Sequence, residues 1–343
     1  MYAVIPEKQR RTLAELDEKL NFSVGDRNSK RSAFWVMLTL SAMIAVAGVV
    51  GDSTATVIGA MIVAPLSTPI LGVGLGITTG RGALVGRSLV YVVGGICLVV
   101  VLGVAFAQVL PNPSNVLTNS QVLGRTSPTL MDLTAALATG LVGAIAIARK
   151  DVGDVLPGVA IAISLVPPLA VVGVCLGSGS PSLAVGAFVL FASNVVAMII
   201  TATGVFVAAG YARDAGILKT SRRRAYLVLA ALLIVVAIPM VGNSLSSLWA
   251  RQIGSAAQQW LADTPGAEVT DVTWQGSTAT IDVLGPETLP PLEELEASID
   301  ALIPWNPDVQ IVHTVGTRRN DQNLWIPGGR TFPDDDLQGI GIL

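Results

Sequence analysis

The sequence predicts an all-α polytopic membrane protein of about seven transmembrane helices, followed by a small C-terminal α/β domain outside the cytoplasm. Three observations carry this expectation. Only 13% of the 343 residues are charged while 52% are hydrophobic, against a charged share of roughly 25% in soluble domains. Between Ala33 and Leu248 the apolar residues gather in blocks long enough to cross a bilayer. The basic residues are sorted between alternate loops.

The chain opens on a charged arm, residues 1–31, which does not read as a cleavable signal peptide. Within it, Leu13, Leu16 and Leu20 share one helical face, as in an interfacial helix or one packed on a neighbour. Spans are expected near 33–50, 55–78, 83–110, 130–148, 155–177, 182–210 and 225–247. The arm and the loops after the second, fourth and sixth spans hold 16 of the 21 Lys and Arg residues; the other loops between spans hold only Arg125. Seven spans entered from a cytoplasmic N-terminus produce this alternation, so the expected location is the inner or plasma membrane.

An odd number of spans leaves the C-terminal part outside. Residues 249–317 read as a compact domain in the order αββαβ. Arg251–Ala262 and Leu292–Ile303 are its helices, and 268–275, 278–284 and 308–315 its strands. A Gly-, Pro- and Asp-rich tail, 318–343, follows. Domain and tail carry fourteen Asp and Glu against four Arg. That is either a solvated surface or a negative vestibule that concentrates cations.

A shift of 99 residues aligns Gly59 with Gly158, Ile62 with Ile161, Leu66 with Leu165 and Pro69 with Pro168. It also pairs Asp52 with Asp151 and Leu84 with Leu183. Two three-span units, 33–110 and 130–210, follow from it. Three is odd, so the second unit enters the membrane the opposite way up, as in inverted-repeat transporters. Proline removes a backbone donor and clashes with the preceding turn, and a freed carbonyl in hydrocarbon needs a partner. Spans two and five are therefore expected to be broken helices. The residues expected nearest a pathway are Ser67, Thr68, Pro69, Ser164, Pro167 and Pro168, with Asn194 as a lining candidate. Plain proline kinks packed by glycines are the competing reading. For Asn194 and Asn243 a structural hydrogen bond competes with site lining.

The stretch Ile58-Gly59-Ala60-Met61-Ile62-Val63-Ala64-Pro65-Leu66-Ser67-Thr68-Pro69-Ile70 resembles a bacterial and archaeal membrane family catalogued as domain of unknown function 389. That family pairs an Ile-Gly-Ala-Met segment with a Ser/Ala-Pro-Leu and a second Pro. Ser67-Thr68 stand where many members carry other small or apolar residues. The resemblance covers roughly 33–210 and implies a polytopic architecture. It implies no catalytic or binding residues.

No Asp, Glu, Lys, Arg or His falls in the middle of an expected span, which argues against a proton relay through a buried carboxylate. Asp52, Asp132, Asp151 and Asp154 lie at span ends, where capping is the usual role. Cys97 and Cys175 are too few for a disulfide framework, and one histidine, His313, builds no metal site. No catalytic residues, metal or cofactor are expected, and no nucleic-acid partner. The function expected is a non-enzymatic transporter or channel for a small solute or ion, assembled as a homo-oligomer in the lipid bilayer. An envelope sensor or structural scaffold acting through the outer domain is the alternative.

Overall fold

A computed structural model describes residues 5–109, 117–152, 165–216, 223–275, 278–303 and 308–316. The chain divides into two compact units, Met1–Leu245 and Ser246–Leu343.

The first unit is helical. A short 3-10 turn, Glu7–Gln9, precedes α1, Leu13–Leu20. Thr12 and Glu15 form a reciprocal cap: Thr12 Oγ1 accepts the Glu15 N–H at 3.3 Å, and Glu15 Oε2 accepts the Thr12 N–H at 2.6 Å. Helix α2, Arg27–Val50, begins six residues before the apolar run, because Asp26 caps it by accepting the Ser29 N–H at 3.1 Å. The second expected span is two helices, α3 (Thr54–Val63) and α4 (Ser67–Thr78), bent by 48° across the break. Helix α5 is Gly82–Val109 and α7 is Leu130–Ala148. Between them lies α6, Ser120–Thr126, a helix the sequence reading did not contain. Of the fifth expected span, 155–177, residues 155–164 lie outside the described residues, and α8, Val166–Gly177, forms nearly all the rest. Helix α9 is Pro181–Ala208 and the one-turn α10 is Tyr211–Asp214.

One expectation is corrected. The seventh span and the helix placed at Arg251 are a single helix, α11, Arg223–Trp260. No glycine or proline lies between Asn243 and Arg251 to stop it, and Pro239 is accommodated inside it.

Among the described residues, five helices are long and apolar enough to cross a membrane: α2, α5, α7, α9 and the Tyr226–Trp260 stretch of α11. The bent pair α3 and α4 makes six if it counts as one span. Their outward faces are apolar, with Val90 71% and Ile238 66% exposed, a surface that suits lipid and not water. The core of this unit gathers Leu38, Leu66, Ile70, Leu75, Leu165, Leu169 and Phe206.

The helix ends sort into two sets. The arm pairs with all three basic turns: Arg10 with Asp214, Asp17 with Arg81 at 2.9 Å, and Glu15 with Lys150 at 2.9 Å. At other helix ends, Asp52 accepts from Ser120 Oγ at 2.7 Å, and Asn119 donates to the carbonyls of Val49 and Val50 at 3.1 and 3.2 Å. Asn243 donates to the Pro128 carbonyl at 2.9 Å. The structural role weighed for that residue is thus the observed one.

In the second unit the C-terminal part of α11 supplies Ile253 and Ala257, and the turn after it Leu261, to a core with β2 (Thr278–Gly285) and α12 (Leu292–Leu302). Strand β1, Glu268–Gln275, pairs antiparallel with β2, and β3, Asp308–Val315, pairs parallel with it. The sheet is mixed, in the order β1-β2-β3. Along β2, Ala279, Ile281 and Val283 alternate into the core.

Candidate functional site

The break between α3 and α4 is built by Ala64-Pro65-Leu66. Proline at 65 has no N–H, and Ala64 donates only as far back as Met61, at 3.4 Å. The carbonyl of Ala60 would then lack its helical partner. Ser41, fully buried on α2, supplies one: its hydroxyl donates to Ala60 O at 2.8 Å. The sequence requires a partner for the carbonyl freed at such a break, and the hydroxyls it places beside this one are Ser67 and Thr68. Ser41 comes from another helix, and no local signal marks it.

Beyond the break, Ser67 and Thr68 are half-buried in the first turn of α4, and Pro69 is buried. Leu66, at the N-cap, gives no side-chain cap; the Thr68 N–H donates to the Pro65 carbonyl at 3.2 Å, and Pro69 carries no N–H. Thr68 and Pro65 line a cavity of about 540 Å³. The arm and the start of α2 complete its wall with Arg11, Glu15, Glu18, Lys19, Phe22, Lys30 and Phe34. These arm residues were not among the sequence-derived candidates. The leucine spacing at Leu16 and Leu20 marked the helix that carries them, and both leucines are fully buried. The arm therefore packs on the helices. Phe22 meets Phe34 and Tyr91 at ring separations of 5.2 and 4.5 Å, which fixes the end of the arm over the cavity.

Charge at the cavity rim is anchored. Lys150 and the backbone N–H of Thr12 hold the Glu15 carboxyl at about 2, well below the ordinary value of 4.5. Arg11 N–H donates to the Ala148 carbonyl at 2.9 Å and Lys150 N–H to Gln9 O at 2.7 Å. Tyr211 donates its hydroxyl to Arg11 O at 2.7 Å and stacks under the Arg10 guanidinium at 4.1 Å.

The second proline pair sits differently. Pro167 and Pro168 are buried in the first turn of α8, beside Leu165, Val166 and Leu169, which are buried too. Ser164 lies outside the described residues. Asn194 is 5% exposed on α9, and the described contacts do not bring it to the cavity. Among the described residues, no group of three or more His, Cys, Asp and Glu side chains is placed to hold a metal ion.

The two halves share boundaries and packing. Helices α8 and α9 start and end 99 residues beyond α4 and α5. The turns between them match as well, with Gly80 at φ 62° and Gly179 at φ 76°. The tight crossings are reciprocal. A methyl group on Gly74 of α4 would meet Ala202, Thr203 and Ile199 of α9. One on Gly173 of α8 would meet Gly103, Val104 and Val100 of α5. Each residue of the second contact is 99 removed from its counterpart in the first, with the two halves exchanged.

An uncharacterized protein of Methanocaldococcus jannaschii is 32% identical over 175 residues, 51% of this chain and 53% of that protein. The chain thus spans about half the length of this curated relative. No solved structure matches the chain. The family model described as "Domain of unknown function (DUF389)" matches residues 61–200, from the end of α3 into α9. Of the residues that line the cavity, this match takes in Pro65 and Thr68 and not those of the arm or α2.

Proposed function

We propose that this protein is a membrane transporter or channel for a small ion or polar solute, with its pathway at the broken helix pair α3 and α4. The observation that carries the reading is the cavity at that break, where Thr68 and Pro65 share a wall with charged residues of the arm. An apolar helix pair that breaks beside a charged cavity has the form of a discontinuous-helix site. The positive end of the α4 helix dipole, which carries no side-chain cap, favours a solute with negative charge there.

Two further observations support parts of this reading. The reciprocal glycine crossings and matched boundaries support an inverted pair of three-helix units, and with it a total of seven spans. The gathering of the arm with all three basic turns supports a single cytoplasmic face. The acidic second unit would then stand outside. Asn194 remains in the proposed pathway because Gly95, its counterpart 99 residues earlier, abuts Leu66 at the first break. Ser67, Pro69, Ser164, Pro167 and Pro168 stay with it on the same symmetry.

A sensor or scaffold is favoured by one observation, the burial of Pro167 and Pro168 among apolar residues, as expected of a packed kink.

Flux in liposomes separates the two. The full chain is reconstituted and assayed with potassium, chloride and small neutral solutes. Transport predicts a flux that Thr68→Leu lowers by about tenfold, the effect of ~1.4 kcal/mol on the limiting barrier, with helicity unchanged. Absence of flux across the whole panel from folded protein overturns the reading.

A further inference from the structure

A second cavity, of about 800 Å³, lies on the flank of the helical unit. Leu141 and Ile145 of α7 form one side, and Gly204 and Val205 of α9 the other, while Arg10 and Arg213 stand at its end. We propose that this groove binds an anionic phospholipid, one acyl chain lying between α7 and α9 and the phosphate held by the two arginines.

Three features fit this occupant. The walls are apolar along the helices and cationic only at the helix ends, the pattern of a lipid at the headgroup boundary. Gly204 leaves open space, since a methyl group added there meets no atom within 4 Å, and α9 thus presents an open trough at that turn. The guanidiniums are also able to take a phosphate. Arg213 is exposed. Arg10 is ion-paired with Asp214, yet its Nε is buried with no hydrogen-bond partner among the described residues. Glu7 also lines the groove and opposes an anion. The arm and the three basic turns together offset it, with sixteen Lys and Arg against eight Asp and Glu. Guanidinium matches phosphate as a bidentate donor, whereas a zwitterionic choline headgroup brings its own cation to the same place.

The inference rests on residence in a bilayer and not on transport. The test is native mass spectrometry of the full chain released from detergent after equilibration with equal amounts of phosphatidylglycerol and phosphatidylcholine. The wild type is expected to retain phosphatidylglycerol in preference by about tenfold, equivalent to ~1.4 kcal/mol. Arg213→Gln should bring the two lipids close to parity. Gly204→Leu, which fills the trough, should reduce retention of both, and Leu141→Trp serves if that variant does not fold. Equal retention of both lipids by the wild type overturns the site, as does wild-type behaviour in either variant. Displacement of the lipid by millimolar inorganic phosphate also overturns it, by assigning the arginines to a free anion. Protein that stays in solution without detergent refutes the bilayer reading and the site with it. Protein that needs detergent but ignores the headgroup refutes the site alone.

Discussion

Ser41 on α2 donates to the carbonyl oxygen of Ala60 on α3 at 2.8 Å, across nineteen residues of sequence and with the serine fully buried. The bond satisfies the acceptor that the Pro65 break releases. An unpaired buried acceptor costs about 1–3 kcal/mol. Ser41→Ala is therefore expected to destabilise the helical unit by that amount, with Ser41→Thr keeping most of the bond. Thermal melting in detergent checks it, and a Ser41→Ala variant as stable as the wild type would remove the serine from the account of the break.

Backbone approach at Gly103 and Gly173 predicts a different kind of failure. A methyl on Gly103 would sit 2.8 Å from the Gly173 Cα and 3.0 Å from the Ala170 carbonyl. Neither is the tip of a flexible side chain. Gly103→Ala should cost about 1–3 kcal/mol through overpacking. The same change at Gly59, where a methyl meets nothing within 4 Å, should be neutral or stabilise by up to about 1 kcal/mol through helix propensity. Paired melts of the two variants read the contrast.

Acid should loosen the arm. The Glu15 carboxyl is held at about 2 against an ordinary value of 4.5, so it is the ionised form that the folded arm binds. Its contribution is complete above 4.5 and fades as pH falls towards about 2. Hydrogen exchange of residues 13–20 should accelerate over that window in the wild type and much less in Glu15→Gln. High salt should reduce the difference, because the Glu15–Lys150 pair is exposed.

Much of this arrangement was legible in the sequence. Apolar block lengths located the long helices, and the prolines marked span two as broken, with the break falling at Pro65, while Pro69 lies within the first turn of α4. The shift of 99 residues, seen first as scattered identities, reappears in helix boundaries and glycine crossings. What escaped has physical reasons. Ser41 acts on a carbonyl of a different helix, and sequence spacing does not encode that encounter. Helix α6 is seven residues long and largely polar, too short for a periodic pattern. The continuity of α11 was missed because a change from apolar to mixed composition near Arg251 reads like a boundary, although the backbone meets no breaker there. The arm's leucines disclosed its buried face but not which helices that face would cover.

The pairing of Arg10 with Asp214 spans 204 residues of chain. Ribosomes add about 5–20 residues per second, so Arg10 exists for roughly ten to forty seconds before its partner is made. Lys150 and Arg81 arrive at intermediate times. The arm's partners therefore become available one turn at a time, and the Arg10 contacts cannot close before Tyr211 and Asp214 are made. A chain truncated before residue 211 lacks both Tyr211 and Asp214 and so carries the arm without its Arg10 contacts.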